Sequence, residues 1–176
     1  MDIFVQFFVI ALKFLVPILL IWFPFAGSWG NYVLDVVDGD ILQYFGMLDY
    51  QYQTIDKAAD YFSYIMMVVA AWKWRIRFTV ILLFVYRTIG QFLFFLTRDE
   101  MMFFYFQNFL EPLIMIYSLI RFRYKGDMVK THKTYLKHIV LIWGIILGYK
   151  LWNEWYLHFA NIDLSTFFFG IDGAKN

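Results

Sequence analysis

Hydrophobic residues along this chain run in long blocks separated by short polar ones, and the block length is the informative quantity. A helix needs about 20 apolar residues to cross ~30 Å of hydrocarbon. Blocks near that size occur at 3–24, 27–46, 58–73, 77–97, 101–121 and 138–158. The breaks between them carry turn and interface signals. The run from Phe23 to Asn31, FPFAGSWGN, supplies the Pro and Gly of a reversal after the first block. At the end of the third, Trp72 and Trp74 read as interfacial aromatics, with Lys73, Arg75 and Arg77 as headgroup contacts. The stretch Arg121–His138 reads as a long basic loop facing anionic headgroups. The pattern predicts an all-α integral membrane protein, a six-transmembrane-helix bundle forming one domain over 1–176.

Composition narrows the class further. Apolar residues make up 62% of the chain, which fits a multi-pass cell-membrane protein in contact with the lipid bilayer better than a soluble domain. A formal net charge of +1 argues against nucleic acid as a partner, and the absence of Cys removes disulfide and thiol chemistry. The apolar N-terminus lacks a basic leading region and reads as a retained span. His132, His138 and His158 are too scattered for a metal triad, and Phe167, Phe168 and Phe169 suit the membrane interface.

Polar residues inside the blocks are where function is expected. Six of the eleven Asp residues fall between positions 35 and 60. Asp35 and Asp38 are three apart, Asp56 and Asp60 four apart, so on helices each pair projects from one face. Two such faces brought together make a cup of carboxylates that repel one another unless cations neutralise them. All-oxygen donors without Cys or a nearby His point to hard ions, Mg2+ or Mn2+, and Asp35, Asp38, Asp56 and Asp60 are the candidate ligands.

Depth adds a second expectation. If the six spans alternate in direction, Gln6, Arg87, Gln91, Gln107, Asn108, Glu111, Lys150 and Glu154 fall in the same half of the bilayer as the Asp cluster. Buried ionisable groups in lipid are costly unless paired or hydrated, so this one-sidedness predicts an intramembrane polar cavity opening on that face. Lys150 and Glu154 read as a local pair, and Arg87 either as an ion-pair partner of Glu111 or as a phosphate ligand. Loop charge sets the motif face against the other: Lys57, Arg98 and Lys175 lie on it, whereas Lys73, Arg75, Arg77, Arg121, Arg123, Lys125, Lys130, Lys133 and Lys137 lie opposite. The positive-inside rule therefore places the Asp cluster outside the cytoplasm.

The same stretch resembles the CDP-alcohol phosphatidyltransferases, which carry Asp-x-x-Asp-Gly-x-x-Ala-Arg, eight residues, Gly, three residues, Asp, three residues and Asp. Asp35, Asp38, Gly39, Asp56 and Asp60 fall in that register without insertion or deletion; Leu42, Gln43 and Tyr52 stand where the family has Ala, Arg and Gly. The resemblance implies two divalent ions held by the four Asp, with Asp60 also serving as general base toward an acceptor hydroxyl. It implies transfer of a substituted phosphate from a nucleotide diphosphate-linked, CDP-like donor to an alcohol acceptor in phospholipid synthesis. Gly39, Gln43, Arg87, Gln91 and Arg98 would meet the substrate, with Arg87 or Arg98 compensating for Gln43. It further implies a homodimer and a cytosolic motif face, opposite to the orientation that loop charge gives. Two other classes remain open: a noncatalytic relative acting as a structural or lipid-binding membrane protein, favoured by Leu42, Gln43 and Tyr52, and a cation transporter, disfavoured by the apolar far half of the spans.

Overall fold

The computed structural model describes residues 2–97 and 101–155, with the side chains of Asp2, Asp49, Phe103, Glu154 and Trp155 left aside. Arg98, His158 and the aromatic stretch Phe167–Phe169 lie outside the described residues, as does the side chain of Glu154.

Among the described residues the fold is all α, with no strand. Helix α1 covers Asp2–Ile18 and tightens after Pro17 into a short 3-10 turn, Leu19–Ile21. Proline cannot continue the ladder of N–H donors, which is why the first block ends as a narrowed turn. The chain then reverses, with the Phe23 N–H donating to Leu19 O at 2.7 Å, and α2, Pro24–Tyr44, starts with Pro at its first position. Helix α3 spans Asp49–Ala71 and α4 spans Arg77–Thr97. Helices α5, Met101–Tyr105, and α6, Leu110–Arg123, divide the fifth block; α7, Met128–Lys137, and α8, Ile139–Trp155, complete the order. Ile3–Ile21 and Arg77–Thr97 are long and apolar enough to cross a membrane.

Three sequence expectations are corrected here. The fifth block is not one helix: the chain breaks at residues 106–109. Pro112 is tolerated only in a first turn, so α6 must begin just before it, and the Asn108 side chain accepts the Glu111 N–H at 3.2 Å to cap the new start. The break leans on α4, where a Cβ at Gly90 would lie 2.2 Å from that of Phe106, and Arg87 donates to the Phe106 carbonyl at 2.7 Å. The basic segment is not a loop throughout either. Asp127 caps α7 by accepting from the Val129 and Lys130 N–H groups at 3.0 Å, and those bonds hold its carboxyl below the usual range. Thr131 and Tyr135 face inward from α7 while Lys130, Lys133 and Lys137 stay exposed. Trp74, expected at the interface, is buried, stacked on Tyr117 with ring centroids 5.2 Å apart.

The apolar core lies at the end of the bundle away from the Asp cluster. Tyr64, Met67 and Ala71 of α3 pack there against Leu110, Leu113, Ile114 and Tyr117 of α6 and Ile142 and Ile146 of α8. On α4 the usual arrangement is inverted. Phe78, Leu82, Val85, Ile89, Phe92 and Leu96 form an exposed stripe at helical spacing, whereas Arg87 and Gln91 are buried. With Leu82 at 70% exposure and Arg87 at 7%, a continuous apolar face turns outward and polar groups turn in, the distribution expected of a helix surrounded by lipid.

Candidate metal centre

The acidic centre forms where α1, α2 and α3 meet. Asp35 and Asp38 share a face of α2, and Asp56 comes from the first half of α3, so the helical spacing read in the sequence becomes actual convergence. One carboxylate oxygen from each of Asp35, Asp38 and Asp56 lies within 4.8 Å of the others. This group could hold a metal ion, and its all-oxygen donor set suits a hard divalent cation.

A cation from the chain itself also reaches this centre. The inward face of α1 carries Val9, Lys13 and Pro17, spaced as successive helical turns and continued by Leu20 in the 3-10 turn, and so aims Lys13 at the carboxylates. Its Nζ donates to Asp56 Oδ1 at 2.6 Å, contacts Asp38 Oδ2 directly and lies 3.6 Å from Asp35 Oδ1. Lys13 is 5% exposed and Asp38 is fully buried, so solvent screening between them is minimal. Asp56 is bound from both sides, because Lys57 donates to its second oxygen at 3.0 Å.

Tyr52 closes the cup. It sits one helical turn before Asp56, and its hydroxyl donates to Asp38 Oδ1 at 3.3 Å and Asp56 Oδ1 at 3.4 Å. The same hydroxyl lies 2.9 Å from where a Cβ on Gly39 would be, so the missing side chain at Gly39 leaves room for the phenol. Leu42, one turn further, is fully buried.

Asp60 lies apart from the Lys13 contacts. Together with Asp35, Asn31 and Ser63 it borders a cavity of about 10 Å³ next to Lys13, a volume on the scale of one water molecule. The buried Ser63 Oγ has no hydrogen-bond partner. A polar ladder continues behind this cavity: Asn31 donates to Glu111 Oε1 at 3.2 Å, Asn108 to Glu111 Oε2 at 3.3 Å, and Ser28 meets Ser118 at 2.9 Å.

Of the residues expected to meet substrate, Gln91 lines a cleft of about 670 Å³ between α3 and α4, together with Lys57, Thr88, Tyr61 and Phe95. Arg87 is buried one turn inside it, committed to the Phe106 carbonyl. Gln43 lies one turn beyond Gly39 on α2 and is half-buried. Three residues at the centre were not anticipated: Lys13, Tyr52 as a hydrogen-bond donor, and Ser63. Lys13 had a legible signal, a lone charge in an apolar block; Ser63 had none. Compared with protein families, curated proteins and solved structures, the chain matches none.

Proposed function

We propose that this protein is a multi-pass membrane phosphotransferase that moves a substituted phosphate from a nucleotide diphosphate-linked, CDP-like donor to an alcohol, with the acidic centre between α2 and α3 as its active site. The observation that carries the reading is the convergence of Asp35, Asp38 and Asp56, together with Asp60 lining the adjoining cavity, in the register that resembles the CDP-alcohol phosphatidyltransferases. Four acidic groups on neighbouring turns of two helices, two of them buried, repel one another and are explained by a cationic load. The outward apolar stripe of α4 supports a lipid surrounding.

The chain's own groups divide the work. The cleft between α3 and α4 is walled by Tyr61, Phe92, Phe94 and Phe95, a lining suited to acyl chains, while Lys57 in the same lining carries positive charge that attracts phosphate. Asp60, at the border of the adjoining cavity, accepts the acceptor hydroxyl's proton as the alcohol oxygen bonds to phosphorus and the bond to the leaving nucleoside monophosphate breaks. When bound, Mg2+ or Mn2+ supplies charge neutralisation at the phosphate oxygens and on the leaving group.

The test is release of nucleoside monophosphate from a CDP-alcohol by the detergent-purified chain with Mg2+ or Mn2+. Product that disappears with chelator and in Asp60→Asn supports the reading. A folded protein that yields none with any CDP-alcohol and alcohol pair rejects it.

A second reading has its own observation. Lys13 and Tyr52 together occupy much of the cup from within, which suits a noncatalytic membrane protein whose acidic centre serves to lock α1 onto α2 and α3. On this reading chelator leaves the melting temperature unchanged and no CDP-alcohol raises it.

A further inference from the structure

We infer that the acidic centre holds one divalent cation and not two, because the ammonium of Lys13 permanently takes the second cation's place. The inference rests on the metal-dependent reading above and changes its stoichiometry.

Two independent observations locate the two positions. The first is filled: the Lys13 Nζ lies against Asp38 and Asp56, the two buried carboxylates, at 2.6 Å from the latter, with Tyr52 closing over them. The second adjoins it: the cavity of about 10 Å³ bordered by Lys13 on one side and by Asp35, Asp60, Asn31 and Ser63 on the others, where the Ser63 hydroxyl is buried and has no hydrogen-bond partner. That cavity offers two carboxylates and neutral oxygen donors, a set for a hard ion, and has room for one atom of that size.

Charge points the same way: Lys13 and Lys57, both within contact distance of Asp56, already bring two positive charges to the carboxylates, which lowers the demand for further cations beside a low-dielectric core. The lysine is anchored and does not exchange with solvent, so the centre would be a hybrid of one resident ammonium and one exchangeable ion.

The experiment counts Mn2+ on the full chain in detergent, after removal of metal, by equilibrium dialysis and electron paramagnetic resonance. The expected result is one Mn2+ per chain with an uncoupled six-line spectrum. Asp60→Asn and Ser63→Ala should each weaken it at least about tenfold, as loss of a donor does. Asp38→Asn, on the Lys13 side, should leave the ion bound. Lys13→Met should admit a second ion, and two ions about 4 Å apart give an exchange-coupled spectrum. Two coupled ions in the wild type overturn the inference while leaving the metal-dependent reading intact. Mn2+ bound only once Lys13 is removed also overturns it. No Mn2+ on either protein rejects the metal-dependent reading and the inference with it. If Lys13→Met does not fold, the three variants in the wild-type Lys13 background decide: retention of the ion in Asp60→Asn with loss in Asp38→Asn overturns it.

Discussion

The ammonium of Lys13 and the carboxylate of Asp38 are in direct contact inside the bundle, where Asp38 is fully buried and Lys13 is 5% exposed. Breaking such a pair from one side leaves a buried charge without its partner and costs about 3–5 kcal/mol, whereas removing both partners costs much less. Lys13→Met without divalent ion should therefore lower stability by about that amount, and Lys13→Met combined with Asp38→Asn should recover a large part of it. Thermal melting of the four proteins in chelator measures the coupling; additive losses would mean that the contact is not energetically real.

Tyr52 makes two long hydrogen bonds to carboxylates, so its hydroxyl should contribute modestly and its ring more. Tyr52→Phe is expected to cost under about 1 kcal/mol. Tyr52→Gly empties the space over Gly39 and should strengthen binding of a CDP-alcohol, read as an increased melting-temperature shift with Mn2+. A ligand at a hundred times its Kd adds about 2.7 kcal/mol, an easily measured change.

The close approach at Gly90 makes a sharp packing prediction. A Cβ there meets Phe106 at 2.2 Å, so Gly90→Ala should destabilise by about 1–3 kcal/mol through overpacking, while Gly144→Ala, with nothing within 4 Å, should be neutral or gain up to about 1 kcal/mol of helix propensity. Equal melting temperatures for the two variants would show that the chain does not press on α4 there.

Arg87 tests the helix break from the other side. Arg87→Leu removes the donor to the half-buried Phe106 carbonyl and should cost about 1–3 kcal/mol. Because the loss is local, limited proteolysis at residues 106–109 should quicken before the rest of the chain opens.

Block 77–97 coincides with α4 to the residue, because there apolar length and helix length obey the same constraint, whereas α3 begins at Asp49, ahead of its block at 58–73, because its first turns are polar. The acid pairs were legible because three- and four-residue spacings are a property of one helix. Lys13 was not assigned, since its partner Asp56 lies 43 positions away and nothing local couples them. The break at 106–109 was missed although its signal was present: Asn108 four residues before Pro112 is a helix start, overridden in reading by the apolar length around it. Trp74 was misplaced for a related reason, as a Trp among basic residues reads as interfacial until Tyr117 and Arg121 are seen to enclose it.

Lys13 has a consequence for biosynthesis. In a membrane, α1 is made before α2 and α3 and enters with an ammonium near its middle, at a cost of about 2.5–3.5 kcal/mol on insertion scales, before any of the Asp residues that neutralise it has left the ribosome. Its apolar flanks offset that cost only in part. Helix α1 would therefore wait at the insertion machinery for α2 and α3, and the order in which these three helices enter the bilayer would be written into a single side chain.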